Sequence, residues 1–466
     1  MKYISTRGNA PELSFKEAAL TGIASDGGLY VPKDVPQFTV DEISSWEKLS
    51  YEEIAFNVMY PFVDGEINES DFKKIIKTSY ASFRNKEVTP LHKLNDREYI
   101  MELFHGPTLA FKDVALQFLG NLLDYILDEK KEDIVIIGAT SGDTGSAAIE
   151  GCHHCKHIKL FMLHPKGKVS DVQRKQMTTV VSDNIYNIAV EGNFDDCQTM
   201  VKKMFSSSNF TNGKNISAVN SINWSRIMAQ ITYYFYAYLR IKEQNNNGEM
   251  PEISFSVPTG NFGDIFAGYM AKKMGLPINK LIVATNKNDI LHRFFKDNDY
   301  SQKGVYATVS PSMDIQISSN FERLLFDLYG QDGNKIKSLM DDFNDNKSLK
   351  VSTDILDKAK NTFESSAIDD DGIKSIIKNI YNNYQYLVDP HTATGVFASE
   401  NLKADGITVI LATADPAKFP DVIKESTGVF PELPSHLSDL HDREEYMNNL
   451  PLDIDEIKSF IQKNTI

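Results

Sequence analysis

The sequence predicts an α/β protein built on doubly wound, mostly parallel sheets, and three observations lead to this prediction. Short runs rich in Ile, Val and Leu recur along the chain, helical patterns lie between them, and two of the runs lead into glycine-rich loops. Strands that alternate with helices form βαβ units, whose ligand loops lie at the carboxyl ends of the strands. The runs predicted as strands are Ile134–Ala139, Ile158–Leu163, Ile185–Val190, Ile253–Val257, Leu281–Ala284 and Ile407–Leu411.

Residues 1 to about 90 precede the first predicted strand and are expected to form a helical amino-terminal region. Within it, Ser50 is followed three residues later by Glu53. This spacing is typical of a capping box, in which each side chain binds the backbone N–H of the other residue at the start of a helix. A helix is therefore predicted to begin near Tyr51.

Lys112 stands between the turn-forming segment Gly106-Pro107-Thr108 and a long helical pattern. Apolar residues recur there at three- and four-residue spacings, which predicts a buried helix over 113–127 with Lys112 at its amino-terminal mouth. Burial and the positive end of the helix dipole both disfavour an ammonium ion, so the neutral amine that forms a Schiff base is easier to reach. Lysine is a common surface residue, and the local pattern alone leaves open a solvated lysine at a helix start.

Two glycine-rich loops follow predicted strands. One runs from Thr140 to Ala148, and the other runs from Pro258 to Asp264 and leads into a helical pattern over 265–274. Glycine lets the backbone approach a phosphate closely, and the N–H groups of such loops can bind an anion. Neither loop matches the Gly-x-x-x-x-Gly-Lys-Ser/Thr pattern of nucleotide-binding loops. Taken singly, each loop has the alternative interpretation of a plain turn between a strand and a helix.

The composition is that of a soluble enzyme. A chain of 466 residues predicts two or three structural regions, and a net charge of -15 argues against general binding to nucleic acid. The first residues are polar and mixed, and no apolar stretch approaches the roughly 20 residues of a membrane span. Three cysteines indicate no disulfide framework, so a cytoplasmic location is expected.

The motif Cys152-His153-His154-Cys155, with His157 close by, is the main suggestion of a metal site. A second spaced pair of ligands is missing, and adjacent histidines seldom converge on one ion. No metal is therefore expected, and the segment is interpreted as a polar turn between a helix that ends near Gly151 and the next strand.

Eight blocks spread along almost the whole chain carry a resemblance to one family. They are Met1–Gly8, Asp26–Pro32, Phe104–Asp113, Gly138–Ala148, His164–Met177, Asn220–Arg226, Gly260–Asp264 and Leu411–Phe419. Their order and sequences resemble threonine synthase, a pyridoxal-phosphate (PLP) enzyme of fold type II in the tryptophan-synthase-β-like family. The resemblance implies two subdomains with doubly wound sheets behind a helical amino-terminal region.

The expected domain organisation follows from this resemblance and from composition. Residues 1–90 match the amino-terminal threonine synthase region, and residues 91–466 the PLP-dependent catalytic region, including a smaller mobile subdomain at about 130–215. Residues at about 290–385 are rich in Asp, Asn and Lys and are expected to be a less regular insertion. The polar run Gln244–Gly248 is expected to be a loop tip.

The resemblance assigns the cofactor site residue by residue. It makes Lys112 the lysine that anchors PLP as a Schiff base, and Thr413 the residue that faces the pyridine nitrogen. A hydroxyl there cannot hold a full pyridinium charge, so the cofactor is expected to be a weaker electron sink than one paired with Asp. Asp415 replaces the family's histidine two residues later and leaves Thr413 in place. The cradle of the cofactor phosphate is formed by Gly260, Asn261, Phe262, Gly263 and the adjacent Asp264.

The resemblance also places the substrate. The loop that receives the substrate carboxylate in this fold type matches Ser141, Gly142, Asp143 and Thr144. Asp143 is acidic where many enzymes of the fold carry asparagine, a feature that threonine synthases share. Cations are expected to stabilise the departing phosphate, and the candidates are Lys166, Lys168, Arg174, Lys175 and Arg226. Arg226 is favoured because it stands before an apolar helical pattern.

The implied reaction converts O-phospho-L-homoserine and water into L-threonine and phosphate, the last step of threonine biosynthesis. The freed amine of Lys112 can take the Cα proton and later the Cβ proton; phosphate leaves from Cγ and water adds at Cβ. One lysine then serves as both anchor and proton shuttle, so no second base is required. The enzyme is expected to be a monomer or weak dimer.

Two other interpretations stay open at this point. A related PLP lyase would eliminate phosphate from the same or a similar phosphoamino acid and release a keto acid and ammonia, because anchoring residues cannot reveal whether water adds before release. A nucleotide-binding or regulatory module would share the glycine-rich loops but carry no covalent cofactor.

Overall fold

Two mostly parallel sheets organise the computed structural model, which describes residues 1–205, 210–211, 213–218, 221–245 and 250–465. Six strands coincide with the six predicted runs, and the α/β fold with mostly parallel sheets is confirmed. Asn220 and residues 246–248 of the predicted loop tip lie outside the described ranges. The strands are β1 (Tyr3–Ser5), β2 (Tyr30–Pro32), β3 (Leu91–Lys93), β4 (Glu98–Glu102), β5 (Ile134–Ala139), β6 (Ile158–Pro165), β7 (Ile185–Val190), β8 (Asn215–Ala218), β9 (Ile253–Pro258), β10 (Ile278–Thr285), β11 (Tyr300–Ser301), β12 (Ser348–Leu349), β13 (Phe363–Ala367), β14 (Ile407–Ala412) and β15 (Asn448–Leu450).

Helices pack on the sheets and fill the amino-terminal region. Within the described ranges, none of them combines the length and the apolar character needed to cross a membrane. The helices are α1 (Phe15–Thr21), α2 (Val40–Ser45), α3 (Tyr51–Val63), α4 (Glu69–Tyr80), α5 (Lys112–Lys130), α6 (Asp143–Cys152), α7 (Asp171–Thr178), α8 (Phe194–Phe205), α9 (Trp224–Gln244), α10 (Gly263–Lys273), α11 (Ile290–Asp297), α12 (Phe321–Leu328), α13 (Gly333–Asn346), α14 (Thr353–Thr362), α15 (Asp370–Tyr384), α16 (Pro390–Leu402), α17 (Pro420–Thr427) and α18 (Ile454–Thr465). Short 3₁₀ helices are η1 (Pro311–Met313), η2 (Pro416–Lys418), η3 (Ser435–Leu437) and η4 (Leu440–Asp442).

The larger sheet has six strands in the order β13-β10-β9-β14-β4-β3. All neighbours are parallel except β3, which runs antiparallel to β4. The adjacent strands β9 and β14 are buried along their whole length, as expected for a parallel sheet covered by helices on both faces. Because they run in the same direction, the loops that follow them, at Thr259 and Thr413, leave the sheet at the same edge.

The smaller sheet has five parallel strands in the order β15-β7-β6-β5-β8. The loop after β5 carries residues 140–142 and leads into α6. The carboxyl-terminal segment returns to this sheet: β15 pairs with β7, and Ile457 and Ile461 of α18 are buried in the same apolar cluster as Ile188. The end of the chain is therefore part of the smaller sheet's core.

The amino-terminal region is mainly helical, as predicted, and it also contains an antiparallel ribbon of β1 and β2. Helix α3 begins at Tyr51, where the sequence predicts it. The Ser50 N–H donates to the Glu53 carboxylate at 2.8 Å, and the Glu53 N–H donates to Ser50 Oγ at 3.3 Å. The capping box is thus present in full.

Residues 290–385 are more regular than their composition indicates. They form helices α11 to α15, and β13 pairs in parallel with β10 at the edge of the larger sheet. The sequence of β13, Phe-Glu-Ser-Ser-Ala, carries polar side chains at half-buried positions of an edge strand. Such a strand lacks the continuous apolar run by which the inner strands are recognised, so composition alone understates the regular structure of this segment.

Two glycines hold α5 and α6 in close contact. A Cβ atom added to Gly120 would lie 1.9 Å from the carbonyl oxygen of Gly151, and one added to Gly151 would lie 2.6 Å from the carbonyl oxygen of Leu116. Helix α5 starts at Lys112 and α6 starts at Asp143. The contact between the glycines therefore fixes the spacing of these two ends.

Gly120→Ala tests this contact. In an open helix the substitution stabilises by roughly 0.5–1 kcal/mol, but here the methyl group must displace backbone, so we expect a net loss of about 1–3 kcal/mol. The free energy of unfolding, measured by urea titration, provides the comparison. Gly304→Ala is the matched control because a Cβ atom there meets nothing within 4 Å. Equal stability of Gly120→Ala and the parent would show that the helices can separate freely.

Candidate active site

A pocket opens where the loops after β9 and β14 meet the amino-terminal ends of α5, α6, α9, α10 and α16. Its lining includes most of the residues singled out from the sequence: Lys112, Asp143, Thr144, Arg226, Gly260, Asn261, Phe262, Gly263, Asp264 and Thr413. Other residues of the lining are Phe111, Ser221, Gln230, Pro258, Thr259, Ser312, Met313, His391 and Ala414. The fold thus brings a lysine, a glycine-rich loop and a buried arginine into one cavity.

Some predicted residues lie elsewhere. Ser141 is exposed, and Gly142 is buried against the side chain of Gln173; neither is part of the described pocket lining. Lys166 and Lys168 are exposed, and Lys166 pairs with Glu191 at 3.5 Å.

The other two candidate cations outside the lining are held by the carboxyl-terminal segment. Arg174 binds both carboxylate oxygens of Glu445, at 2.9 and 3.1 Å, and Lys175 donates to the carbonyl oxygen of His441 at 2.9 Å. Of the five cations predicted to meet the departing phosphate, Arg226 is the one that lines the pocket.

Lys112 is the first residue of α5, and 9% of its surface is exposed. Its Nζ donates to Asp143 Oδ2 at 3.3 Å and lies 4.8 Å from the centre of the Phe111 ring. Burial is the largest influence on this amine and lowers its pKa; Asp143 opposes the shift, while the charges of Lys418 and Arg226 add to it. The site therefore favours the neutral amine more than water does.

Asp143 is a buried carboxylate with four partners. Oδ1 accepts from Gln173 at 2.7 Å and lies 2.8 Å from the ammonium of Lys418. Oδ2 accepts from Lys112 and, at 2.9 Å, from Ser312 Oγ. Burial alone would raise the pKa of Asp143, but Lys418 and Lys112 together hold it well below its usual range. The side chain is therefore ionised at neutral pH.

Lys418 was not assigned a role from the sequence, although it stands inside the block Leu411–Phe419. It is buried at the end of η2, and its ammonium also donates to the carbonyl oxygen of Thr108 at 2.8 Å. Asp415 caps η2 by accepting from the Ala417 N–H at 3.0 Å, and it pairs with Arg84 at 3.4 Å. Asp415 thus supports the turn that carries Lys418.

His391 lines the pocket, and the sequence did not reveal it. Its Nδ1 lies 2.7 Å from Asp389 Oδ2, and its Nε2 accepts from the backbone N–H of Ser312 at 3.1 Å. Since Nε2 is the acceptor, Nδ1 carries the proton and donates it to Asp389. The signal available in the sequence is the helix start Asp389-Pro390-His391, which resembles an ordinary cap.

Two of the helices that begin at the pocket, α5 and α10, lack a side-chain cap. Helix α6 is capped in part, because the Gly145 N–H donates to Thr140 Oγ1 at 2.9 Å. Asn223 and Asp389 cap α9 and α16, and α1, α2 and α3 each begin with a complete capping box.

Phe262 precedes α10 with a φ of 61°, and the carbonyl of Asn261 is turned away to accept from the Asn320 N–H at 3.0 Å. The unpaired N–H groups and helix dipole of α10 suit a bound phosphate.

Asp264, in the first turn of α10, is buried with one unpartnered oxygen. The hydroxyls of Tyr233 and Tyr234 both donate to Oδ1, the latter at 3.1 Å. Oδ2 has no hydrogen-bond partner among the described residues. Burial raises the pKa of Asp264 to about 7, against the lowering effect of the two tyrosines.

Arg226 and Thr413 complete the lining. Arg226 is buried near the start of α9, and burial lowers its pKa to about 10, so it is still a cation at neutral pH. Thr413 follows β14, and its carbonyl oxygen accepts from the Phe111 N–H at 2.9 Å. That bond fixes the threonine beside the start of α5.

The Cys152–Cys155 segment lies apart from this pocket. Both thiols are free and buried, at the junction between α6 and the turn that leads to β6. Among the residues that the structure describes, no group of three or more His, Cys, Asp and Glu side chains is placed to hold a metal ion.

Three family models match the chain in sequence order. Residues 2–80 match the threonine synthase N terminus, residues 83–413 match the pyridoxal-phosphate dependent enzymes, and residues 392–461 match the threonine synthase C-terminal family. Together they account for almost the entire chain.

Relatives and solved structures agree with these matches. The threonine synthase of Pseudomonas aeruginosa is 52% identical, covering 100% of this chain and 98% of its own, and that of Saccharomyces cerevisiae is 45% identical over 92% and 89%. A crystal structure of PLP-bound threonine synthase from Brucella melitensis superposes with a TM-score of 0.96 at 46% identity, covering 100% and 99% of the two chains. The yeast threonine synthase structure gives 0.94 at 41% identity over 99% and 98%.

Asp264→Asn tests the electrostatics of the phosphate loop without any ligand. The folded chain keeps the Asp264 proton up to about pH 7, while the unfolded chain releases it near its ordinary value of 3.8. The free energy of unfolding should therefore fall as the pH rises from about 4 to about 7 and then level off. The amide imitates the protonated acid, so the variant should be more stable than the parent at pH 8 by up to a few kcal/mol, with little difference at pH 4.

The measurement is urea unfolding of the cofactor-free chain at both pH values. Asp357→Asn, at an exposed position of α14, is the control and should not alter the pH dependence. A stability difference between Asp264→Asn and the parent that is the same at pH 4 and pH 8 would contradict the raised pKa.

Proposed function

The chain belongs to the threonine synthases, within the pyridoxal-phosphate dependent enzymes, and we propose that the pocket around Lys112 is its active site. The enzyme is a PLP-dependent lyase with threonine synthase activity. We propose that its substrate is O-phospho-L-homoserine, which reacts with water to give L-threonine and phosphate. The assignment of roles to individual residues is likewise a proposal.

The pocket fits PLP in three respects. The uncapped first turn of α10 and the loop Gly260–Gly263 offer backbone N–H groups to the cofactor phosphate. Lys112 holds the cofactor through its amine, and Thr413 offers a neutral hydroxyl to the ring nitrogen. When bound, the cofactor withdraws electrons from the substrate so that protons can leave its Cα and Cβ atoms.

Asp264 belongs to the same cradle. With its pKa near 7, it can carry a proton on the free Oδ2 and donate it to a phosphate oxygen. A charged carboxylate at this position would repel the phosphate. Burial without an ion-pair partner is the physical means by which the charge is removed.

Lys112 moves the protons of the reaction. Its amine is buried and its lowered pKa favours the neutral form, so it can accept the Cα proton and then the Cβ proton of the substrate. His391 is held by Asp389 and the Ser312 N–H, which fits it for positioning rather than for a second proton transfer.

Substrate recognition divides between two charged ends. Arg226 is the cation proposed to meet the substrate phosphate as it leaves from Cγ, because it is buried in the pocket wall. The substrate carboxylate is proposed to bind at the start of α6, beside Thr144. The Asp143 side chain does not take part in that contact, since an ionised carboxylate repels another.

One observation carries the proposal: a buried lysine shares a pocket with the uncapped, glycine-rich start of α10. A buried amine alone is consistent with many structural roles, and an uncapped helix end alone binds any anion. Their combination suits a cofactor that has both an aldehyde and a phosphate.

We also propose a separate subdomain, a cellular location and an oligomeric state for the chain. The smaller sheet spans most of residues 130–215, which supports a separate subdomain there, and β15 and α18 extend the proposed unit to the end of the chain. Three free, buried thiols support a cytoplasmic location, and the enzyme is proposed to be a monomer or weak dimer.

Lys112→Ala tests the anchor. The variant should lose the visible absorbance band of the bound cofactor, and turnover should fall by at least about 10³-fold, since general acid–base catalysis alone contributes roughly 10²–10⁴. Absorbance before and after borohydride, together with product formation, gives both readouts.

Lys130→Ala, at the exposed far end of the same helix, is the control and should keep both properties. A borohydride-sensitive band of parental intensity in Lys112→Ala would mean that another lysine holds the cofactor.

A further inference from the structure

The ammonium of Lys418 is enclosed on every side. Its side chain is 0% exposed, and its three N–H groups have three acceptors: Asp143 Oδ1 at 2.8 Å, the Thr108 carbonyl at 2.8 Å and Gln176 Oε1 at 3.1 Å. A buried ammonium with a carboxylate and two neutral acceptors is fully satisfied as a cation. Nothing in this arrangement calls for the neutral form of Lys418.

Lys112 competes with Lys418 for the same carboxylate. The Lys112 Nζ lies farther from the Asp143 carboxylate than the Lys418 Nζ does, at 3.3 Å against 2.8 Å. Among the described residues, its other contact is with the ring of Phe111. One carboxylate can balance one of two buried ammonium ions, because a second positive charge in the same low-dielectric region is repelled by the first. Within the described part of the chain, Lys418 has three acceptors and Lys112 has one.

We infer that Lys418 is a positioning residue: it holds Asp143 as a partner of its own, so that Lys112 is left as a neutral amine. The inference rests on the proposed role of Lys112 as the cofactor anchor. It explains why an acid lies beside a lysine that must be unprotonated. Asp143 orients the Lys112 amine as a hydrogen-bond acceptor, while the charge of Lys418 cancels the attraction that would otherwise protonate it.

Other charged groups around Lys112 act in known directions. Arg226 on α9 also lowers the pKa of Lys112. The charge of Lys112 in turn lowers the pKa of Asp264 on α10. His391 on α16 lowers the pKa of Asp143, and Lys418 lowers the pKa of Asp113 on α5, which burial raises to about 6. None of these groups contacts both lysines, as Asp143 does, so the balance between the two lysines depends on that carboxylate.

The rate at which the cofactor-free chain captures PLP reports this balance, because the amine must be neutral to react. The rise of the visible band is followed from about pH 5 to pH 10, and its pH midpoint is the quantity compared. In Lys418→Met, Asp143 is left to Lys112, so the midpoint should move up by roughly 1–3 units. In Asp143→Asn the attraction between the carboxylate and the Lys112 ammonium is lost, while the repulsion between Lys418 and Lys112 remains. The pH midpoint of PLP capture should therefore move down.

Two substitutions serve as controls. Lys418→Arg keeps the charge and should keep a midpoint close to that of the parent, and Lys424→Met removes an exposed lysine of α17 and should change nothing. If Lys418→Met fails to fold, because it buries an unpaired carboxylate, Asp143→Asn still gives a shift of defined sign.

A merely structural role predicts a different result. Slower capture at every pH with an unchanged midpoint, in both Lys418→Met and Asp143→Asn, would overturn the inference. A wrong assignment of the cofactor anchor would be detected separately, with Lys112→Ala measured in parallel. That variant would form the same visible band with PLP only if another lysine were the anchor.

Discussion

The buried carboxylate of Asp143 is the contact on which the geometry of the active site depends. It binds Lys112 at the start of α5, Lys418 on η2, Gln173 on α7 and Ser312 on η1. α5 and η2 follow strands of the larger sheet, α7 follows a strand of the smaller sheet, and all four elements lie far apart in the chain. Breaking a buried ion pair by removing one partner costs about 3–5 kcal/mol, so the network holds its members in one arrangement. The glycine contact between α5 and α6 acts together with it by fixing the helix ends that carry Lys112 and Asp143.

The helices of the amino-terminal region begin differently from α5 and α10 at the pocket. In the amino-terminal region, capping boxes satisfy the first turns of α1, α2 and α3. At the pocket, the first turns of α5 and α10 have no side-chain cap, and Oδ2 of Asp264 has no partner among the described residues. Such omissions weaken a fold locally, and they are expected where a ligand supplies the missing partners.

Much of the fold could be predicted because the inner strands of both sheets are buried on two faces and are therefore continuous apolar runs. The sequence pattern did not predict strands β4 and β13, and the reason is physical. Glu98 and Glu102 bound β4, and their carboxylates accept from Ser399 and Tyr386 in the folded chain, while β13 is a polar edge strand. Partners of this kind are brought together by the fold and leave no local pattern.

The same limit applies to the site. Residues within one loop or block, such as Gly260 to Asp264, could be predicted together, and the comparisons bear out the enzyme and its cofactor. Lys418 and His391 could not, because their roles depend on contacts with Asp143 and Ser312 across the sheets. Arg174 and Lys175 were chosen from a basic segment, yet Glu445 and His441 from the far end of the chain hold them.

The most direct measurement is to find which lysine carries the cofactor. The holoenzyme is reduced with borohydride, digested, and the modified peptide sequenced by mass spectrometry. Two buried lysines contact Asp143, and only Lys112 is expected to be modified, since Lys418 is held as a cation by three acceptors. Label on the peptide that contains Lys112 and none on Lys418 is the predicted result. Label on Lys418, or on a lysine outside the pocket, would contradict the division of roles between the two.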